Sequence, residues 1–132
     1  MANKVYMPMT LAGLSKNLRS SKTEDLRWTD VMEFLEEYRH ESPGTRQQLL
    51  AQTPEESVDP KWDVFLGALA EHLALVDEGP VPPWACVSQY SWSGKAWFVS
   101  DLPTARVWAL AHSPAAFRAR GIFLHPDDLV PA

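Results

Sequence analysis

The sequence predicts a compact, mainly helical fold with a single domain. Its 132 residues are the length of one ordinary domain. Hydrophobic residues make up 45% of the chain and charged residues 22%, which is typical of a globular protein with a core. Prolines suit the first turn of a helix, and four of them stand where helices are predicted to begin: Pro43, Pro60, Pro103 and Pro114.

Two helices are predicted in the first 41 residues. Over residues 10–19, Leu11, Leu14 and Leu18 share one helical face, and Thr10 is suited to cap it. A second helix is predicted over residues 29–41, after the polar segment 20–25, with Thr29 or Asp30 as its cap. Its apolar stripe consists of Val31, Phe34, Leu35 and Tyr38.

The clearest helical pattern covers residues 61–76. Asp59 is expected to cap this helix and Pro60 to open it. A glycine inside a helix lowers helix stability, so Gly67 indicates that another backbone packs closely there. A shorter helix is predicted before it, over residues 43–52. The proline-rich segment 77–84 stops the long helix.

The last third of the chain is less regular. A short β-hairpin around residues 86–99 and an irregular packed loop are both compatible with its mixture of aromatic and small residues. Asp101 is then expected to cap a helix over 103–111, and Ser113 a short helix over 114–120 that stops at Gly121. The predicted buried side of the 103–111 helix consists of Val107, Trp108, Leu110 and Ala111.

Charge divides the chain into a basic N-terminal arm or helix, residues 1–22, and a globular, mostly helical domain, residues 23–132. The arm has four basic residues and no acid, whereas the rest has 8 basic and 17 acidic residues. A segment of charge +4 on a body of charge −9 is suited to contact nucleic acid or an acidic surface, and a solvated terminus is the alternative. The candidate nucleic-acid contacts are Lys4, Lys16, Arg19 and Lys22.

Patterns for cofactor, metal or covalent chemistry are missing from the sequence. The four histidines lack the i, i+4 spacing of a helical zinc site, and Cys86 is the only cysteine. No phosphate-binding glycine loop or nucleophile elbow occurs. We therefore expect no cofactor, no metal and no enzymatic activity. His125 with Asp127 and Asp128 is the one cluster suited to acid–base chemistry, and a capped terminal turn is its alternative interpretation.

The expected location is the cytoplasm, without membrane contact. No apolar run approaches the roughly 20 residues that a membrane-spanning helix needs. The first 15 residues also lack the apolar stretch of a signal peptide.

Aromatic and arginine side chains supply a candidate partner-binding surface. Such side chains dominate the energetics of protein interfaces, and several of them occur in the last 41 residues. A small second core under the proline-rich connector is the alternative interpretation of the tryptophans. The candidate contacts are Trp92, Trp97, Arg106, Arg118 and Arg120.

Four stretches together resemble one family. They are DPKWDVFLGALAEHLA at 59–74, VPPWA at 81–85, WF at 97–98 and SPAAFRARGIFL at 113–124. This pattern resembles the C-terminal region of actinobacterial regulators with an XRE-type helix-turn-helix, antitoxins that are paired with nucleotidyltransferase-like toxins. The resemblance implies one folded unit over residues 59–124 and a cognate toxin as the partner. Upstream, the two predicted helices lack the tight glycine-centred turn of a helix-turn-helix.

The sequence therefore predicts a non-catalytic protein-binding module. The resemblance implies that it is the antitoxin or regulatory half of a toxin–antitoxin pair and neutralises its toxin by direct binding. The alternative function is a DNA-binding transcriptional autoregulator that uses the basic N-terminal segment.

Overall fold

A computed structural model describes residues 8–131 and confirms the mainly helical fold. Short 3₁₀ helices cover Pro83–Cys86, Ser88–Tyr90 and Pro126–Leu129. The α-helices and strands of the described chain are, in order, α1 Leu11–Ser20, α2 Glu24–Arg39, α3 Pro43–Ala51, α4 Pro60–Val76, β1 Trp97–Phe98, α5 Pro103–His112, α6 Ala115–Arg118 and β2 Ile122–Phe123.

Helix α4 runs through the centre of the protein. Every residue from 62 to 70 is buried, which means that the helix is covered on all sides. Helices α1 and α3, helix α6 and the two 3₁₀ helices within 83–90 contact it. The predicted start is confirmed, since the Asp59 carboxylate accepts a hydrogen bond of 2.8 Å from the backbone N–H of Trp62, and Pro60 follows the cap.

Helix α1 is part of the core. Thr10 caps it as predicted, because its hydroxyl accepts from the backbone N–H of Gly13 at 2.9 Å. Leu11, Leu14 and Leu18 are fully buried in the same hydrophobic cluster as the apolar residues of α4. The C-terminal half of the segment 1–22 thus packs against the rest of the protein.

Helix α2 begins five residues before its predicted start at residue 29. Thr23 is the cap, and its hydroxyl accepts from the backbone N–H of Leu26 at 3.2 Å. Glu24 and Asp25 follow in the first turn, where negatively charged side chains interact favourably with the helix dipole. Asp30, expected as a cap, accepts a hydrogen bond from the Ser21 hydroxyl at 2.5 Å instead. The prediction therefore wrongly excluded the end of the polar segment, Glu24 and Asp25, from the helix.

The prediction of a β-hairpin around residues 86–99 is wrong. Strand β1 pairs in parallel with the distant β2, so that Trp97 lies opposite Ile122 and Phe98 opposite Phe123. Residues 83–86 and 88–90 are 3₁₀-helical, and the Trp84 indole N–H anchors the first of these helices by donating to the Leu50 carbonyl at 2.9 Å. Helices α5 and α6 separate β1 from its partner strand in the sequence, so no local sequence pattern predicts the pairing.

Ser113 does not cap α6. Its hydroxyl donates to the Ile122 carbonyl at 3.0 Å and accepts from the backbone N–H of Leu124, which ties the end of α5 to β2. The helix that follows is shorter than the predicted 114–120, because only residues 115–118 are helical. Gly121 then adopts a left-handed φ of 73°, in keeping with the predicted stop.

Gly67 allows the backbone of the 3₁₀ segment to approach α4, as predicted. A Cβ at this position would lie 2.4 Å from the carbonyl oxygen of Tyr90, which is far inside van der Waals contact. A larger residue would push the 3₁₀ segment away from the central helix. The close approach thus depends on glycine.

We expect Gly67→Ala to lower the free energy of unfolding by about 2 kcal/mol, because the methyl group meets backbone rather than a flexible side chain. Gly44→Ala in α3 is the control, since a Cβ there meets nothing within 4 Å. The control is expected to change stability by less than about 1 kcal/mol. Urea unfolding measures both, and equal effects would refute the close-packing explanation.

Candidate protein-binding surface

Helix α5 and Leu102, the residue before it, expose an apolar surface. Leu102 is 68% exposed, Val107 66%, Trp108 54% and Leu110 48%. We call these four residues the α5 surface. Val107 and Leu110 stand three residues apart and are neighbours on the helix. Contiguous exposed apolar groups are typical of interaction sites.

The predicted buried side of α5 is wrong. Val107, Trp108, Leu110 and Ala111 are exposed, and the buried residue of this helix is Ala109. Helix α5 contacts β2, while Phe117, Ile122 and Leu124 already fill the core beneath it. The sequence PTARVWALAH suggested burial because apolar residues occupy most of the helix circumference, a pattern usually found in buried helices.

The start of α5 also differs from expectation. Leu102 occupies the cap position and makes no side-chain capping bond. Asp101 lies 3.3 Å from the guanidinium of Arg106 instead. Arg106 also donates to the Ser100 carbonyl at 3.2 Å, and its guanidinium lies 5.1 Å from the centre of the Phe98 ring. These contacts hold the Arg106 side chain at the exposed start of α5.

A pocket of about 410 Å³ lies between α5 and the chain that follows β2. We call it the α5 pocket. Apolar side chains line much of it, and the carboxylates of Asp127 and Asp128 contribute the acidic part of its lining. Its apolar residues are Ala105, Trp108, Ala109, Phe123 and Leu124.

Trp108 joins the α5 surface to the pocket. Its ring stacks on His112 with centroids 4.9 Å apart, and the His125 ring meets it edge-on at 6.2 Å. His112 and His125 are 5.9 Å apart. Trp108 is thus fixed by two imidazoles while more than half of it stays exposed.

His125, Asp127 and Asp128 form a capped terminal turn. The backbone N–H of His125 donates to the Asp128 carboxylate at 2.9 Å, and the N–H of Asp127 donates to Nδ1 of His125 at 3.0 Å. These two bonds are a reciprocal capping box on the 3₁₀ helix at 126–129. Within residues 8–131, no group of three or more histidine, cysteine or acidic residues is arranged to hold a metal ion.

The two predicted tryptophan contacts lie in different environments. Trp92 is 53% exposed and its ring covers Gly121, where a Cβ would lie 2.4 Å from the indole. Trp97 is half-buried, with its ring centroid 5.2 Å from that of Trp62 and 5.8 Å from that of Phe65. Trp92 therefore faces solvent, whereas Trp97 completes an aromatic cluster.

The two arginines of the 113–124 stretch also lie in different environments. Arg118 is exposed. Arg120 is 5% exposed and lies 3.1 Å from Glu71 of α4. Its guanidinium also donates to the carbonyls of Ala85, Tyr90 and Ala116, each at 2.9 Å. The hydrogen-bonding capacity of Arg120 is thus used inside the protein.

Tyr90, whose backbone carbonyl accepts a hydrogen bond from Arg120, has its side chain buried in the core. Its ring meets Trp84 edge-on with centroids 5.0 Å apart. Burial raises the pKa of the Tyr90 phenol, and the negative charge of Asp63 raises it further. The phenol therefore stays neutral well above physiological pH.

The predicted nucleic-acid contacts differ in their surroundings. Lys4 lies outside the described residues. Lys16 and Lys22 are exposed, whereas Arg19 forms an ion pair with Glu56. The neighbouring Arg27 pairs with Asp59 at 2.9 Å. Acidic partners thus neutralise part of the positive charge of this region.

Comparison with protein-family models, with curated proteins and with solved structures yields no match to this chain. Within the part of the chain that the structure describes, no helix is both long and apolar enough to cross a membrane.

We expect Arg120→Met to lower the free energy of unfolding by about 3 kcal/mol, because it leaves Glu71 and the Ala85 and Tyr90 carbonyls without their donor. Arg118→Met removes the same charge from an exposed position two residues away. We expect this control to change stability by less than about 0.5 kcal/mol. Thermal and urea unfolding measure both, and a mild Arg120 variant would contradict the anchoring role.

Proposed function

We propose that this protein is a non-catalytic binding module that neutralises a toxin protein by covering it with the α5 surface. The observation that carries the proposal is the exposure of Val107, Trp108 and Leu110 in helix α5 and of Leu102 at its cap position. Leaving these side chains in water is unfavourable, and a partner that buries them gains that free energy. Trp108 is the natural anchor, since tryptophan is enriched among the residues that dominate interfaces.

The resemblance of residues 59–124 to antitoxin-type regulators supports the choice of partner. It implies a nucleotidyltransferase-like toxin that is encoded by a neighbouring gene. A protein that handles nucleotides presents basic residues to phosphate groups, and the acidic body of this chain complements such a surface. Long-range attraction of this kind accelerates the encounter, while the apolar surface supplies affinity.

The alternative function as a DNA-binding autoregulator has less support. It needs Lys4, Lys16, Arg19 and Lys22 to act together on phosphate groups. Arg19 is already paired with Glu56, and of the candidate contacts within residues 8–131 only Lys16 and Lys22 are exposed. Few phosphate contacts give weak binding that salt abolishes.

The double variant Val107→Glu with Leu110→Lys tests the proposal. It replaces two apolar groups by an ion pair at i, i+3 spacing, so the helix and the net charge are preserved. We expect the variant to fold normally and to bind the co-expressed toxin at least about tenfold more weakly, which corresponds to about 1.4 kcal/mol. Calorimetry of the purified pair and rescue of growth from the toxin measure the effect.

The matched control is Leu75→Glu with Val76→Lys at the end of α4, where the two apolar side chains are also exposed. This control should bind and rescue like the unmodified protein. Full binding by the α5 variant would refute the assignment of the surface. Retardation of promoter DNA by the protein alone, lost in 300 mM salt, would favour the autoregulator instead.

A further inference from the structure

The α5 pocket has the chemistry to receive a cationic side chain. Trp108 provides an aromatic wall that is 54% exposed, and Phe123 and Leu124 provide apolar lining for a side-chain stem. A guanidinium is attracted to the face of an indole and slides its methylene groups along apolar surface. The volume of about 410 Å³ accommodates one long side chain together with its neighbours in the partner.

The charges around the pocket select the sign of the ligand. Asp127 and Asp128 both line it, and Asp127 has a side chain that is 85% exposed. Arg106 also lines the pocket, but Asp101 lies 3.3 Å from its guanidinium and balances its charge. His125 Nδ1 accepts the backbone N–H of Asp127 at 3.0 Å and lies 3.5 Å from the Asp127 carboxylate. The lining thus holds two carboxylates and one arginine that is already paired with Asp101.

We infer that the α5 pocket receives an arginine side chain of the partner protein, stacked on Trp108 and bound by Asp127 and Asp128. This inference rests on the proposed function and names the chemistry that the toxin presents to this site. Arginine fits better than lysine, because its planar guanidinium both stacks on an aromatic face and donates in parallel to a carboxylate. An anionic ligand such as a phosphate group would meet the two carboxylates instead.

A test without the toxin uses N-acetyl-argininamide as the probe and the full chain labelled with ¹⁵N. We expect the probe, at about 20 mM, to shift the Trp108 indole N–H resonance, as a millimolar dissociation constant suits so small a ligand. The citrulline analogue has nearly the same shape without the charge, and it should leave this resonance in place. Asp127→Asn with Asp128→Asn keeps the capping oxygens and should weaken probe binding at least about fivefold.

The control for total charge is Glu41→Gln with Glu55→Gln, which also removes two acids but lies outside the pocket lining. It should bind the probe like the unmodified protein. Equal shifts with the citrulline analogue, an unaffected Asn double variant, or no shift at all would each overturn the inference.

A second measurement separates this inference from the proposed function. We expect the Asn double variant to bind the toxin about tenfold more weakly than the Gln double variant. If only the α5 double variant weakens toxin binding, the surface is correct and the arginine pocket is wrong. If the probe binds as described but the toxin does not, the pocket is correct and the proposed partner is wrong.

Discussion

The guanidinium of Arg120 is the junction on which the second half of the structure depends. It joins Glu71 of the central helix to the carbonyls of Ala85 and Tyr90 in the 3₁₀ segment and of Ala116 in α6. Three separate stretches of chain therefore meet at one side chain. Buried carbonyls need donors, and a planar group with five N–H bonds can supply several of them from one position. Gly67 completes the arrangement by letting the Tyr90 backbone approach α4.

The exposed helix α5 follows from this anchoring. Phe117 and Arg120 fix the chain after α5 to the central helix, and β2 then pairs with β1. Ser113 ties the end of α5 to the same strand. The core beneath is full, so α5 rests on the surface with Ala109 as its buried residue. An apolar helix in that position is suited to pack against another molecule, because the core of this protein does not enclose it.

The C-terminal turn lies next to the α5 surface and lines the α5 pocket. The capping box holds Asp127 and Asp128 beside α5, and the His125 ring meets Trp108 edge-on. The cluster that the sequence singled out for acid–base chemistry is thus built into a turn next to an exposed tryptophan. Carboxylates in such a place act through charge, which favours recognition of a basic partner.

The sequence by itself determined the helices whose signals are local. Thr10, Asp59 and Pro60 mark helix starts through contacts within four residues, and the apolar periodicity of α1 defines its buried face. Tertiary structure decided everything that joins distant residues: the pairing of β1 with β2, the burial of Arg120 and the exposure of α5. Periodicity shows which side chains share a face, but only the packed chain decides whether core or solvent lies opposite that face. For this reason the arginines and tryptophans predicted as one surface are divided between the interior and the exterior.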